Sequence, residues 1–286
     1  MNWQDRKLRD LIERALAEDV GAGDITSEAI IDSNSMSCAK IKAKQKGVLA
    51  GILLAEQVFK TVDRKIKFRP YKKDGSQIKK GETIALVCGK TRSILQAERV
   101  ALNFLQRLCG IATLTNEFVK KVRETKLKIL DTRKTTPTLR LLEKYAVRMG
   151  GGENHRFGLY DMILIKDNHI RACGSVKQAA LRAKSFLAKS KSRRGIKIEA
   201  EIRNIRELEE AVKSGVDRVM LDNMKINDIR KCVKLVRSSK KKMEIEVSGS
   251  VNLKNVRELA RTGVDFISIG ALTHSALALD LNLVLN

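Results

Sequence analysis

Beyond residue 110 the chain alternates short apolar, strand-like runs with helical segments, and that rhythm limits the sheet it can build. The strand-like runs occupy 127–130, 162–165, 196–202, 218–221, 243–247 and 266–269, and helical patterns such as 205–213 and 253–262 separate most of them. Alternating strands and helices predict a parallel sheet. Six strong runs fall short of the eight of a full barrel. A closed or partly open (β/α) barrel is the expected form, with a doubly wound open sheet as the alternative. No GxGxxG follows a first strand, which counts against a dinucleotide-binding version of the open sheet.

The first third reads differently. Leu8, Leu11, Ile12, Ala15 and Leu16 recur at helical spacing, and Gly21 and Gly23 mark the end of that helix. Strand-like runs at 39–43 and 65–68 flank a helix over 53–62. Residues 74–82 (DGSQIKKGE) read as turn, strand, turn around Gly75 and Gly81. Ile94, Ala97, Ala101, Leu105 and Leu108 then predict a long helix. The expected class is therefore α/β, with an N-terminal α/β sandwich domain over 1–110 and an incomplete (β/α) barrel catalytic domain over 111–274. Residues 275–286 are expected to pack back on the N-terminal domain.

Composition narrows the function classes. No apolar run approaches the ~18–20 residues that span a bilayer, so no membrane partner is expected. The N-terminus is amphipathic and charged, without the apolar centre of a signal peptide, and a cytoplasmic location is expected. The formal charge of +24 raises the question of nucleic acid. Its densest runs, 189–197 and 240–242, hold no aromatic residue on which a base could stack, and they read as solvated surface. Nucleic acid is not expected as the main partner. Five cysteines (Cys38, Cys88, Cys109, Cys173, Cys232) are odd in number and lack metal or redox spacing, so all five read as simple thiols.

The strand ends carry the chemistry. The first run ends in Asp131, Thr132, Arg133 and Lys134, and the second in Lys166, Asp167, Asn168 and His169. The third holds Glu199 and Glu201 on one side, and the fourth ends in Asp222 and Asn223. The fifth ends in Ser248, Gly249 and Ser250, and the sixth in Ile269, Gly270 and Ala271 with His274 close behind. In a barrel these ends surround one mouth, and the last two loops commonly bind phosphate. Arg133 and Arg156 suit carboxylates, because a guanidinium fork grips two oxygens at once. Lys134 and Lys166 suit compact charges. Glu201 and Asp222 suit ribose hydroxyls or Mg2+. His155, between the glycine run at 150–152 and Arg156, joins the candidates, whereas Glu199 reads as a structural ion pair with a neighbouring lysine.

These segments resemble quinolinate phosphoribosyltransferase, also called nicotinate-nucleotide pyrophosphorylase (carboxylating). The resemblance lies in DTRKTTP (131–137), GGGENHRFGLYDMILIKDNHI (150–170), VMLDNM (219–224), EVSGSV (246–251) and ISIGALTHS (267–275). EDVGAGDIT (18–26) and AERVALNFLQRLCGIAT (97–113) are similar to the family's N-terminal domain. The resemblance implies transfer from phosphoribosyl pyrophosphate (PRPP) to quinolinate with decarboxylation, giving nicotinate mononucleotide, pyrophosphate and CO2 in de novo NAD biosynthesis, with Mg2+ as cofactor. It implies a homodimer or higher homo-oligomer, with Arg99 reaching in from a neighbouring subunit. Arg133, His155 and Arg156 would then hold the quinolinate carboxylates, and Thr132 would be a further substrate-binding residue. Lys134 and Lys166 would face PRPP and the reacting centre. Glu201 and Asp222 would serve the ribose hydroxyls and Mg2+. Residues 248–250 and 269–271, with His274 nearby, would cradle phosphate. Thr138 departs from the family's pattern, which has glycine after TTP.

Overall fold

The structure is a computed structural model that describes residues 3, 5–189, 191–239 and 242–286. Ser190 in one basic run, and Lys240 and Lys241 in the other, lie outside the described residues. In chain order the elements are α1 (Arg6–Val20), α2 (Ile25–Ile30), β1 (Met36–Ala43), β2 (Gly47–Val48), α3 (Ile52–Val62), β3 (Lys67–Pro70), β4 (Gln77–Ile78), β5 (Thr83–Lys90) and α4 (Thr91–Val122). There follow β6 (Lys128–Leu130), α5 (Arg140–Met149), β7 (Ile163–Ile165), α6 (Asp167–Cys173), α7 (Val176–Ala188), β8 (Ile198–Ile202), α8 (Ile205–Ser214) and β9 (Arg218–Asp222). The chain closes with α9 (Ile226–Ser238), β10 (Glu244–Ser248), α10 (Val256–Ala260), β11 (Phe266–Ser268), α11 (Ala271–His274) and β12 (Leu281–Leu285).

Two compact units result. The first comprises Met1–Asn116, Leu141–Gly151 and Ser275–Asn286, and the second Glu117–Arg140 and Gly152–His274. In the first unit an antiparallel sheet runs β12-β1-β5-β3, and β2 pairs with β4. The alternating burial of β1 puts Ala39, Ile41 and Ala43 into the core. Leu8, Ile12 and Leu16 bury one stripe of α1, whose first turn is capped by the Asp5 carboxylate accepting the Lys7 N–H. Helix α4 continues well past residue 110. Gly110 lies inside it because the chain passes very close: a Cβ there would sit 2.0 Å from the Leu277 carbonyl oxygen.

Cys38 and Cys88 face each other in the register of β1 and β5 and form a disulfide, with Cα atoms 4.1 Å apart. This corrects the reading of all five cysteines as thiols: Cys109, Cys173 and Cys232 are free.

The second unit is built on a parallel sheet in the order β6-β11-β10-β9-β8-β7. Successive strands neighbour one another, and the first strand, β6, joins the last, β11. This is the circular order of a barrel rather than of a doubly wound sheet. The circle is open, because β6 and β7 do not pair. A segment at Glu153 lies in that opening and hydrogen-bonds to β6: the Glu153 N–H donates to the Ile129 carbonyl at 2.8 Å. Every residue of β8 (IEAEI) is buried, as a strand covered on both faces requires. Helix α8 returns the chain across it. Its start is capped by Asn204, which accepts the Glu207 N–H, and its end by Gly215 in the left-handed conformation. Among the described residues no helix is long and apolar enough to cross a membrane.

Candidate active site

The C-terminal ends of the six parallel strands open on one cavity of about 580 Å³. Thr132, Arg133, Lys134, His155, Arg156, Lys166, Glu201, Asp222, Ser248, Gly249, Ser250, Ile269, Gly270, Ala271 and His274 all line it. Sheet order arranges them by chemistry. Residues 132–134 follow β6, residues 269–271 follow β11, and residues 248–250 follow β10. Asp222 and Glu201 come next on β9 and β8, and Lys166 follows β7. His155 and Arg156 come from the segment that occupies the opening beside β6. The rim is thus a basic sector, two adjacent loops that each carry a glycine, and two adjacent acids. Arg99 belongs to the first unit, exposed on α4, and makes no hydrogen bond or ion pair among the described residues.

The basic sector is under electrostatic tension. Burial first, and then the nearby Arg133 charge, lower the pKa of Arg156. An anion between the two guanidiniums relieves that repulsion. Both are held by main-chain anchors. Arg156 donates Nη1 to the Met162 carbonyl at 3.2 Å. The loop carrying Arg133 is held by Arg140, which donates Nε to Thr135 Oγ1 (3.0 Å), Nη1 to the Phe157 carbonyl (3.1 Å) and Nη2 to the Arg133 carbonyl (3.3 Å). Lys134 is fixed at its carbonyl, which accepts the Thr273 hydroxyl at 2.7 Å. His169 accepts the Lys166 N–H through Nδ1 at 2.9 Å; it caps α6 and does not line the cavity.

The acidic sector is also strained. Burial, and then the neighbouring Asp222 charge, raise the pKa of Glu201, while Lys166, with Nζ at 3.8 Å, pulls it back. Oxygen donors held close together suit hydroxyl groups or a hard divalent cation. Asn223 braces this wall: its Nδ2 donates to Asp222 Oδ2 at 3.0 Å. Its side chain also covers Gly249, where a Cβ would fall 2.2 Å from Asn223 Oδ1 and where φ is +90°. Only glycine fits that turn. Asn223 and Ser250 themselves have φ of 52° and 53°, so the loop is held in an uncommon conformation beside the cavity.

Beneath the basic sector lies a buried charge cluster that was largely illegible in the sequence. His155 Nε2 is 3.1 Å from Glu199 Oε2 and 3.4 Å from Glu246 Oε2. Arg218 Nη1 lies 3.0 Å from Glu246 Oε2. Glu199 therefore pairs with a histidine, not with the lysine expected. Burial acts most strongly on His155 and pulls its pKa down, but the two carboxylates outweigh it and hold the ring at about 9. The Arg156 N–H, aimed at Nδ1 from 2.7 Å, opposes a second proton. At an effective dielectric of ~20 each His155–Glu contact is worth roughly 5 kcal/mol before desolvation. With Nδ1 accepting that N–H, the ring proton sits on Nε2, where it faces the two carboxylates. Burial, with Glu246 beside it, pushes Glu199 up to about 7. Among the described residues His155, Glu199 and Glu246 are the one group of three whose ligand atoms, within 4.8 Å of one another, could hold a metal. The Arg218 guanidinium already meets Glu246 there, which disfavours a cation.

Comparison with known proteins finds matches over nearly the full chain. The family described as "Quinolinate phosphoribosyl transferase, N-terminal domain" matches residues 24–109, and its C-terminal domain matches residues 111–284. The chain is 43% identical to the probable nicotinate-nucleotide pyrophosphorylase [carboxylating] of Bacillus subtilis, over 97% of this chain and 93% of that protein. It is 42% identical to a quinolinate phosphoribosyltransferase [decarboxylating] of Nicotiana tabacum, over 96% of this chain and 81% of that protein. The crystal structure of NadC from Streptococcus pyogenes superimposes with a TM-score of 0.92 at 40% identity, covering 98% of this chain and 96% of that one. The two family models, which together match residues 24–109 and 111–284, and the identity with these relatives over nearly the whole chain place this open barrel, with its basic sector, glycine-bearing loops and paired acids, in the quinolinate phosphoribosyltransferase family.

Proposed function

We propose that this chain transfers the phosphoribosyl group of PRPP to quinolinate, with loss of one carboxylate as CO2, to give nicotinate mononucleotide and pyrophosphate for de novo NAD biosynthesis. The observation that carries this reading is the division of one rim into a basic sector and an acid-and-glycine sector. Each matches one substrate. Quinolinate is a dicarboxylate, and Arg133, Arg156 and His155, with Thr132 beside them, bind its two anionic groups. PRPP carries a 5′-phosphate, a pyrophosphate and two ribose hydroxyls. Residues 248–250 and 269–271 bind phosphate through free backbone N–H groups, with His274 alongside. Glu201 and Asp222 accept the ribose hydroxyls.

The mechanism follows from this placement. The pyridine nitrogen attacks the ribose carbon as pyrophosphate leaves, and Lys134 and Lys166 balance the charge that moves onto the leaving group. Ribosylation makes the ring nitrogen cationic. That charge stabilises the carbanion left when the C–C bond to CO2 breaks, and the carbanion takes a proton from solvent to give the product, so the protein contributes position and electrostatics rather than an electron sink. Glu201 and Asp222 also fit Mg2+, because two oxygen donors that repel each other are the donor set a hard cation takes. When bound, Mg2+ supplies charge neutralisation to the phosphate oxygens. The same proposal includes a homodimer or higher homo-oligomer in which Arg99 of a second copy completes the site, and a cytoplasmic location. The test is formation of nicotinate mononucleotide by purified protein with PRPP and Mg2+. Quinolinate is expected to yield product and CO2 in equal amounts, and nicotinate none. No product from quinolinate, or equal turnover of nicotinate, contradicts the proposal.

A further inference from the structure

Arg133 and Arg156 come from two separate stretches of chain, and their charges repel. Pairing of β6 with the Glu153 segment reaches as far as Asp131, whose N–H donates to the Glu153 carbonyl at 3.2 Å. The Asp131 carboxylate then accepts the His155 N–H at 2.9 Å. Farther along, a third arginine spans the two stretches. Arg140 commits each guanidinium nitrogen to a different acceptor. Nε and Nη2 go to Thr135 Oγ1 and the Arg133 carbonyl on the first stretch, and Nη1 goes to the Phe157 carbonyl on the second. Both ends of this bridge are themselves fixed. The Thr135 N–H donates to the same Arg133 carbonyl at 2.9 Å. The Phe157 N–H donates to the Asp161 carboxylate at 2.6 Å. The chain comes back to Arg140 through a turn in which the Leu139 N–H donates to the Thr136 carbonyl at 3.1 Å. None of the three acceptors is a carboxylate, and Arg140 makes no ion pair among the described residues. Arg140 is half-buried and does not line the cavity. A cation set behind two others adds to their repulsion, and the reach of its fork accounts for its place there.

We propose that Arg140 is a positioning residue: it clamps the two stretches together at the opening of the barrel and so sets the spacing at which Arg133 and Arg156 meet a planar dicarboxylate. The inference rests on the assignment of that wall to quinolinate. Arg140 touches no substrate and acts through two main-chain carbonyls and one hydroxyl. Lysine cannot take its place. It carries the same charge, but its donors sit on a single nitrogen, which cannot span acceptors on two stretches.

The experiment measures KM for each substrate in Arg140→Ala and Arg140→Lys. In both, the KM for quinolinate is expected to rise roughly tenfold, while the KM for PRPP stays within about twofold of wild type. A wild-type KM for quinolinate in Arg140→Lys would mean that charge alone suffices, and it overturns the proposal. So does an equal rise in both KM values, which marks a general folding defect. Guanidinium chloride, far below the concentrations that unfold the protein, is then added to each variant. It is expected to bring the KM for quinolinate in Arg140→Ala back toward wild type and to leave Arg140→Lys, whose stem fills the site, unchanged. No response in Arg140→Ala overturns the clamp. If neither variant folds, Thr135→Val decides, because it removes one acceptor and keeps the shape. A raised KM for quinolinate is expected there, and an unchanged one overturns the proposal. If the wild-type protein makes no nicotinate mononucleotide from quinolinate, the assignment of the wall fails and this inference fails with it. A wild-type protein that does make it, with variants that match it, sinks this inference alone.

Discussion

Replacing Thr138 by glycine should stabilise the protein. Thr138 has φ of +69°. That is left-handed backbone, where a β-branched residue meets its own carbonyl. The cost for a non-glycine residue is about 1–2 kcal/mol. Nothing offsets it: the side chain is exposed and makes no hydrogen bond among the described residues. Glycine removes the strain but is freer when unfolded, which returns roughly 0.4–1 kcal/mol. The net gain is about 0.5–1 kcal/mol, readable as a higher midpoint in urea at unchanged slope. Thr138→Ala is the control. Alanine keeps a Cβ in the left-handed region, so its midpoint should lie below that of Thr138→Gly. Turnover should change little, since Thr138 does not line the cavity. A Thr138→Gly protein less stable than wild type would refute the reasoning, because it would mean that the threonine side chain stabilises the loop.

The remaining predictions concern the site. Lys134→Ala should lower kcat by on the order of 10²–10³, as loss of one preorganised charge does, and near-normal turnover would remove Lys134 from the mechanism. Gly249→Ala must displace Asn223 and strain a φ of +90°, so the KM for PRPP should rise by about tenfold or more while the KM for quinolinate changes less. His155 has a folded-state pKa of about 9 against an ordinary 6.5, so its stabilisation is complete below about pH 6.5 and is lost as pH rises through 9. Glu199, raised to about 7 from 4.5, stabilises most in acid and loses its contribution as pH rises through 7, so the two act in the same direction. Urea unfolding should therefore show stability falling by up to about 3 kcal/mol between about pH 6.5 and 9.5, and a flat profile would contradict the buried cluster.

Much of this was legible because barrel chemistry is written at strand ends. DTRK, LDN, VSGS and SIGA each stop an apolar run, and a shared mouth brings them together whatever their distance in sequence. Less legible were residues whose meaning depends on a partner strand. Glu246 alternates with apolar neighbours in EIEVS much as a surface acid would, and only the register that sets β10 beside β9 gives it Arg218. Glu199 drew the expectation of a lysine because lysines abound nearby, while its partner comes from a loop more than forty residues earlier. Cys38 and Cys88 pair only once β1 and β5 are known to be neighbours. Arg140 holds the loop of Arg133 through three hydrogen bonds and Asn223 braces Asp222 through one, and no spacing pattern announces either. Gly110 serves a close approach inside a long helix, and its neighbour, the Leu277 carbonyl, is far away in sequence.

The central claim is that the basic sector and the acid-and-glycine sector bind different substrates. A crystal structure of the protein with quinolinate alone tests it most directly. The account predicts both carboxylates against Arg133, Arg156 and His155, with residues 248–250 and 269–271 free of the ligand. Quinolinate bound by those two loops, or by Glu201 and Asp222, would contradict it.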